Sequence, residues 1–285
     1  MTIDLTGNGR TVRLGERTLV MGIVNVTPDS FFDGGRHATV EAAIKHGLRL
    51  VEEGADLLDI GGESSRPGSD PVPPDEEMRR IVPVIRELAG AASVPISVDT
   101  TKAVVADASL DAGASWVNDI SAGTMDSEML PLMARWDVPF VAMHMRGTPK
   151  TMQIDTGYDD LVGEIIQAFE ERLTAMEAAG MDLSKVLFDP GIGFGKAPEH
   201  NFTLLAQLAA FRVLGCPLLV GPSRKSFLKV VGIEHPDNRL SGSLAAATVC
   251  ALAGVEVVRV HDVAETVQAV WVADRIRRES LQTPV

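Results

Sequence analysis

The sequence predicts a (β/α)8 barrel, and three observations lead to that prediction. Eight short apolar runs each end in a polar or glycine-rich turn, and a stretch with helical periodicity separates each run from the next. Parallel strands that are covered on both faces have such continuous apolar runs, because neither face meets water. The chain has 285 residues, which suits one barrel of about 250 residues with short extensions. We therefore expect a single domain over residues 1–285.

The predicted elements follow in order along the chain. The strands, with the polar residues that end them, are expected at 19–25, 57–63, 96–99, 116–119, 140–144, 186–189, 218–221 and 257–261. The helices are expected at 40–53, 74–89, 102–112, 128–135, 159–179, 199–214, 239–253 and 262–279. Before the first of these strands, Asn8-Gly9 predicts a short hairpin that closes the bottom of the barrel.

Three strand-to-helix connections are long, at 27–39, 63–74 and 146–158. Such connections lie on the face of a barrel where active sites are built, and long ones often act as lids. A solvated loop is the plain alternative for each. Large apolar and cationic side chains are poor choices for idle loop tips, so Phe31 and Arg66 favour a functional role for the first two.

Composition narrows the class of partner. The formal net charge of −13 argues against binding to nucleic acid or anionic membranes, which need basic patches. Cys216 and Cys250 lack metal-type spacing and indicate small buried residues in a reducing compartment. No N-terminal targeting pattern is evident, and the longest apolar stretch, 244–255, is too short to span a bilayer. We expect a cytoplasmic protein.

Three strand ends carry side chains suited to a flat heterocycle. Asp99, Asn118 and Asp189 finish the third, fourth and sixth barrel strands. Their oxygens accept hydrogen bonds from ring N–H and NH2 groups. Each residue alone could equally cap a helix or a turn, but three at one barrel mouth favour a ligand.

A cationic group is expected at the same mouth. Arg259 and His261 are two residues apart on the last strand and so share a face. Lys225 follows the seventh strand, where barrels often bind phosphate, and Arg66 reaches in from the second long loop. Alone, Lys225 and its neighbour Arg224 would be interpreted as solvated charges. The convergence predicts an anionic substrate, a phosphate or a diphosphate.

One strand end offers a metal ligand. Asn25 ends the first barrel strand, and an amide oxygen can ligate Mg²⁺, which completes its shell with water and substrate phosphates. The histidines lack the paired spacing typical of zinc. The glycines of 189–196 fit neither a dinucleotide nor a P-loop fingerprint. We interpret this segment as a tight turn that lets Phe194 and the backbone approach a ligand.

Together these segments resemble the dihydropteroate synthase family. They lie at consecutive strand ends over nearly the whole chain, at 21–31, 61–68, 97–100, 118–121, 189–196, 223–227 and 259–263. Each alone is a weak pattern, but their order is specific. The resemblance implies that 6-hydroxymethyl-7,8-dihydropterin diphosphate is joined to 4-aminobenzoate with release of diphosphate, and that Mg²⁺ is the cofactor. Ser65 departs from the family pattern, which often has threonine there, but it keeps the hydroxyl.

The resemblance also implies a role for individual residues. The pterin-binding residues would be Asp99, Asn118, Asp189, Lys225, Arg259, Met143 and Gly221. The diphosphate-binding residues would be Asn25, Ser65, Arg66, Arg259 and His261, with Asn25 also the ligand of Mg²⁺. The residues around 4-aminobenzoate would be Phe31, Pro67, Phe194, Lys225 and Ser226. The catalytic residues would be Lys225, Arg259, Asp33 and Arg66.

The reactants suggest a dissociative substitution. An arylamine is unprotonated near neutral pH, so it needs no general base. The cations would stabilise the charge that develops on the leaving diphosphate, and the first two long loops would close over it.

Three other interpretations stay open. A pterin-dependent methyltransferase of the methyltetrahydrofolate type has a related barrel, but it has no need of the groups at 223–227 and 259–261. A non-catalytic pterin-binding paralogue would keep the fold without turnover. A phosphate-binding barrel lyase or isomerase would need a general base, such as a lysine at a strand end, and none is found.

One predicted helix suggests an assembly. Residues 244–253 are apolar nearly all round, although an outer helix of a barrel normally exposes a polar face. On the last helix, Trp271, Val267, Val270 and Ala273 are expected to add apolar surface. We expect a homodimer through the seventh and eighth helices.

Overall fold

The chain begins with a short hairpin. In the computed structural model, which describes residues 2–27 and 35–282 without the side chains of 35–39 and 281–282, strands β1 (Ile3–Gly7) and β2 (Arg10–Leu14) pair antiparallel. Asn8 and Gly9 have φ values of 46° and 74°, as a two-residue hairpin turn of type I′ requires. Inward side chains of the hairpin pack in one cluster with Trp116 and other residues inside the barrel. The predicted hairpin is therefore confirmed.

Eight parallel strands form the barrel. They are β3 (Leu19–Asn25), β4 (Leu57–Gly61), β5 (Ile96–Asp99), β6 (Trp116–Asp119), β7 (Phe140–Met143), β8 (Val186–Asp189), β9 (Leu219–Val220) and β10 (Val257–Val260). Their order in the sheet is β8-β7-β6-β5-β4-β3-β10-β9. A parallel bridge between Phe188 and Leu218 brings β8 beside β9. The sheet thus closes nearly on itself, and the predicted (β/α)8 barrel is confirmed.

Helices cover the outside of the barrel. They are α1 (Gly35–Glu52), α2 (Pro74–Ala91), α3 (Ala103–Asp111), α4 (Met129–Trp136), α5 (Leu161–Ala178), α6 (Pro198–Ala206), α7 (Leu240–Leu252) and α8 (Val263–Gln282). None of the helices in the described part of the chain is long and apolar enough to cross a membrane.

The predicted helix at 199–214 is wrong in its second half. Helix α6 stops at Ala206, and a 3₁₀ helix follows at Leu208–Leu214. Gln207 separates the two with φ −115° and ψ 22°. Leu208 and Phe211 are the buried residues of the second piece, and their spacing of three places both on one side of a 3₁₀ helix.

The expected apolar surface of α8 also needs correction. Val267, Val270 and Ala273 are buried against the barrel, whereas Trp271 is 57% exposed. The exposed neighbours of Trp271 are Val272 and Ile276. The apolar outer face therefore lies on a different side of the helix from the one expected.

The apolar core changes character where the barrel opens. Most buried residues form one cluster between strands and helices and a second inside the barrel. At the ends of β6 to β8 a third, small cluster joins Ile120, Met143, Met152 and Phe194. Apolar floor and polar strand ends thus share one mouth.

Candidate active site

Neighbouring strand ends bring acidic and amide side chains to this mouth. Asp99 and Asn118 are directly opposite each other in the pairing of β5 with β6, and Asp189 ends β8 opposite Met143 of β7. Asn118 is 4% and Asp189 6% exposed. The three residues therefore point into the protein, where a bound ring would meet them.

Arg259 of β10 connects the carboxylates. Its Nε donates to Asp59 Oδ2 at 2.5 Å, and its Nη2 donates to Asp99 Oδ2 at 2.6 Å. Burial opposes the charge on Arg259, but the two carboxylates outweigh burial and hold its pKa above the ordinary value. A Cβ at Gly221 would lie 3.8 Å from Arg259 Cβ, so Gly221 forms part of the wall beside the arginine. The guanidinium stays charged at the centre of the mouth.

Asp59 is a site residue that the sequence analysis missed. It is fully buried within β4, and its Oδ2 also accepts from Asn118 Nδ2 at 3.0 Å. That contact leaves the amide oxygen of Asn118 as an acceptor for a ligand. The available signal was a carboxylate inside an otherwise apolar strand, since a buried charge requires partners.

Burial tunes two carboxyl groups of the mouth in the same direction. It raises the pKa of Asp99 to about 7, although the charge of Arg259 opposes the rise. It also raises the pKa of Asp189, against the charge of Lys225 and a hydrogen bond from Gly191 N to Asp189 Oδ1 at 2.7 Å. Both carboxyls therefore depend on nearby cations to remain ionised acceptors.

Lys225 lies in the loop after β9 and contacts the segment that follows β8. Its Nζ donates to Ile192 O at 2.5 Å and lies 4.2 Å from the ring centroid of Phe194. Burial lowers the pKa of Lys225 to about 8, while the carboxylate of Asp189 opposes the fall. A Cβ at Gly193 would lie 3.0 Å from Lys225 Cδ, so the glycine leaves room for the lysine. Lys225 is mostly charged at neutral pH.

A second group of cationic and polar residues lies beyond Arg259. His261 follows β10, and its Nδ1 is 3.0 Å from Ser223 Oγ. Burial lowers the pKa of His261 to about 4, and the charges of Arg259 and Arg66 add to the fall. Arg66, exposed in the loop after β4, is thus near enough for its charge to act on His261.

Other predicted site residues surround the mouth at its rim. Asn25 ends β3 half-buried, opposite Gly61 of β4. Ser65 lines a small cleft that Asp99 also lines. Pro67 and Ser226 are exposed. Phe31 and Asp33 lie outside the described residues.

Arg224 differs from its interpretation as a solvated charge. Its Nε donates to Asp262 Oδ2 at 2.8 Å and its Nη2 to Asp262 Oδ1 at 2.5 Å. Its backbone N donates to Ser243 Oγ at 2.8 Å, and its φ is 54°. Arg224 thus anchors the loop that carries Lys225, and its charge is paired with that of Asp262.

The third long loop contributes more than the sequence indicated. Met152 is buried in the cluster with Met143 and Phe194, and Gly68 N donates to Pro149 O at 3.0 Å. The loop after β7 therefore supplies part of the apolar floor and supports the loop that carries Arg66.

The residues fit a metal that arrives with its substrate. In the parts of the chain that the structure describes, no group of three or more His, Cys, Asp or Glu side chains could hold a metal ion. Asn25 offers one neutral oxygen beside the cationic side of the mouth. Mg²⁺ commonly takes few protein ligands and completes its shell with phosphate oxygens and water, so this donor suits Mg²⁺ bound to a diphosphate.

Comparison with known proteins places the chain in a family. Residues 21–261 match the model of a family described as pterin binding enzyme, and the chain belongs to this family of pterin-binding enzymes. A dihydropteroate synthase of Synechocystis sp. is 45% identical over 265 residues, covering 93% of this chain and 92% of the relative.

Solved structures agree with this assignment. Xanthomonas albilineans dihydropteroate synthase with 4-aminobenzoic acid is 47% identical, with a TM-score of 0.92 and 100% of both chains covered. The X. albilineans enzyme in complex with 7,8-dihydropteroate is 45% identical, with a TM-score of 0.88 and coverage of 99% of this chain and 100% of the other. Within the pterin-binding enzymes, the chain falls with the dihydropteroate synthases, which are transferases.

Proposed function

We propose that the mouth of this barrel joins 6-hydroxymethyl-7,8-dihydropterin diphosphate to 4-aminobenzoate, giving 7,8-dihydropteroate and diphosphate. The dihydropteroate synthase activity follows from the family; the roles of individual residues are our proposal. The observation that carries it is the network in which Arg259 of β10 reaches Asp59 of β4 and Asp99 of β5, at 2.5 and 2.6 Å. Acceptors for a ring and cations for an anion meet there.

The pterin ring would lie between acceptors and a guanidinium. Asn118 and Asp189 accept from its N–H and NH2 groups, while Arg259 stacks on its face. Met143 packs beneath it. An alternative methyltransferase activity gains no support, because Arg66 and His261 form an anion-binding side that such an enzyme does not need.

The reaction breaks one C–O bond and forms one C–N bond. The electron pair of the bond between the pterin methylene and diphosphate leaves with the diphosphate. Arg66 and Arg259 stabilise the negative charge that develops on its oxygens, and neutral His261 adds a hydrogen bond. The amine lone pair of 4-aminobenzoate then bonds to the methylene, and the amine releases its proton to solvent water.

Asn25 would hold Mg²⁺ together with diphosphate oxygens, and the bound ion would supply charge stabilisation for the leaving group. Because the protein offers few ligands of its own, Mg²⁺ should bind weakly without the pterin diphosphate. Calorimetric titration with Mg²⁺ alone tests this, and tight binding to the substrate-free protein would contradict it.

Lys225 lies at the junction of the two substrate sites, beside Asp189 and over Phe194. We expect diphosphate release to require both 4-aminobenzoate and Mg²⁺ for full rate, and to fall at least ~100-fold in Lys225→Ala, about 2.7 kcal/mol of transition-state stabilisation. Lys229→Ala is the control, because Lys229 is an exposed lysine in the 3₁₀ helix that directly follows Lys225. Equal turnover in Lys225→Ala would overturn the proposed site. Tight binding of 4-aminobenzoate without diphosphate or Mg²⁺ would contradict the proposed closure of the loops over diphosphate.

We also propose a homodimer through α7 and α8. Trp271 is 57%, Val272 62% and Ile276 56% exposed on α8, and Val249 and Leu252 are exposed on α7. An apolar surface of this kind favours burial against a second copy. Sedimentation at micromolar concentration should give a dimer, and Trp271→Glu should give a monomer; a monomeric parent protein would contradict the proposal.

A cytoplasmic location is proposed on the state of the thiols. Cys216 and Cys250 are both free and buried, as is usual in a reducing compartment. Cell fractionation would test the location, and recovery outside the cytoplasm would contradict it.

A further inference from the structure

Lys196 is a buried cation that the proposed reaction does not use. Its side chain is 2% exposed. Its Nζ donates to Phe194 O at 2.8 Å and to His144 O at 3.3 Å, and it lies 3.1 Å from His144 Nδ1. Burying an ammonium group is costly unless hydrogen bonds replace its water. The three contacts meet that need and tie one point of the chain to two others.

These contacts join two loops of the mouth. His144 directly follows β7, and Phe194 lies in the segment after β8. Without Lys196, the carbonyl groups of His144 and Phe194 would lose a shared donor. The position of the Phe194 ring relative to β7 therefore depends on this amine.

In space, Gly191 lies close to both Lys196 and Asp189. Gly191 has φ 71°, and a Cβ there would lie 2.0 Å from His144 O and 3.3 Å from Lys196 Nζ. On its other side, Gly191 N donates to Asp189 Oδ1 at 2.7 Å. Gly191 thus lies close to both the ammonium of Lys196 and the carboxylate of Asp189.

The charges that face these groups are few. Asp189 faces Lys225, Lys196 and Arg259, all of which oppose the rise in its pKa that burial causes. Burial lowers the pKa of Lys196 to about 7; Asp189 opposes that fall, whereas Lys225 and Arg146 add to it.

The imidazole beside Lys196 is neutral. Burial lowers the pKa of His144 to about 3, and the charges of Lys196 and Arg146 add to the fall. The amine rather than the imidazole therefore carries the charge of this pair, and that charge opposes protonation of Asp189.

We propose that Lys196 is a positioning residue for the transferase reaction, which holds the Phe194 ring in place and keeps the Asp189 carboxylate ionised. The inference rests on the proposed roles of Phe194 and Asp189. It adds a residue that touches neither substrate but sets the geometry of one site and the charge of the other.

Steady-state kinetics of Lys196→Met test this proposal. We expect kcat/KM for the pterin diphosphate at pH 7 to fall about tenfold, and the KM for 4-aminobenzoate to rise several-fold. The acid limb of the pH profile of kcat/KM should move upward, because loss of the ammonium charge lets burial raise the pKa of Asp189 further. The charge of Lys196 acts on Asp189, so we assign this change to Asp189.

Two further variants separate the possible results. Lys196→Gln keeps a donor for the carbonyls but has no charge, so it should move the acid limb while leaving the KM for 4-aminobenzoate near that of the parent; it also serves if Lys196→Met does not fold. Lys185→Met, which removes a half-buried lysine paired with Asp137 beside the start of β8, should change neither quantity.

The outcomes are distinct from those for the proposed function. An unshifted acid limb and unchanged KM values in folded Lys196→Met, or an unshifted limb in Lys196→Gln, would overturn the role of Lys196. A lower melting temperature with unshifted kinetics would show a structural role only, and it would likewise overturn the proposal. Absence of turnover in the parent protein would instead remove the proposed function.

Discussion

Asp59→Asn is the substitution with the most instructive expected result. The change keeps the shape of a fully buried side chain but removes the charge that accepts from Arg259 Nε at 2.5 Å and Asn118 Nδ2 at 3.0 Å. Removing one partner of a buried ion pair costs about 3–5 kcal/mol. Arg259 keeps its contact with Asp99, and the new amide oxygen still accepts.

The expected loss is therefore nearer the cost of one hydrogen bond to a charged group, about 2 kcal/mol. If that loss appears in the transition state, it corresponds to a fall of about 30-fold in kcat/KM for the pterin diphosphate. Diphosphate release measures kcat/KM, and urea unfolding at pH 7 measures the free energy of unfolding. We expect both to fall.

Asp56→Asn is the matched control for this substitution. Asp56 pairs with Arg17 through two hydrogen bonds of 2.8 and 2.5 Å, just before β4 and away from the mouth. It should lower the free energy of unfolding without changing kcat/KM. A parent-like kcat/KM in Asp59→Asn, or an equal fall of kcat/KM in Asp56→Asn, would contradict the role of Asp59 at the mouth.

Two further predictions concern backbone and pH. Gly191→Ala should lower the free energy of unfolding by more than about 3 kcal/mol, because a positive φ costs about 1–2 kcal/mol and the methyl group would lie 2.0 Å from His144 O. The control is Gly180→Ala, which is also at positive φ but faces open space. It should lower the free energy of unfolding by only about 1 kcal/mol. Equal losses in urea unfolding would contradict the close approach. Burial raises the pKa of Asp99 to about 7, and the ionised form binds substrate, so kcat/KM should fall as the pH drops below about 7. In Asp99→Asn the acid limb of the remaining activity should move to lower pH. An unmoved acid limb would assign that limb to another group.

The strands of the barrel could be predicted from the sequence, because a strand that is buried on both faces has a continuous apolar run. The hairpin could be predicted because Asn8-Gly9 favours the positive φ values that a two-residue hairpin turn requires. The end of α6 could not be predicted from the sequence, because the residues after Gln207 keep an apolar spacing that both an α-helix and a 3₁₀ helix can satisfy. Spacing alone does not state which one the tertiary contacts select.

The candidate site divides in the same way. Asp99, Asn118 and Asp189 were found because a barrel places strand ends on one face. Asp59 lies two residues before the end of β4, and Lys196 lies seven residues after β8, so a search of strand ends alone passes over both. Their partners come from distant strands and loops, and only the folded chain shows them.

The position of the bound pterin diphosphate decides most directly whether one mouth serves both the ring and the leaving group. A crystal structure with a non-reactive analogue should show the ring edge within hydrogen-bond distance of Asn118 and Asp189, and the diphosphate oxygens directed toward Arg66 and His261. A ring bound elsewhere, or a diphosphate directed away from both Arg66 and His261, would contradict the proposed site.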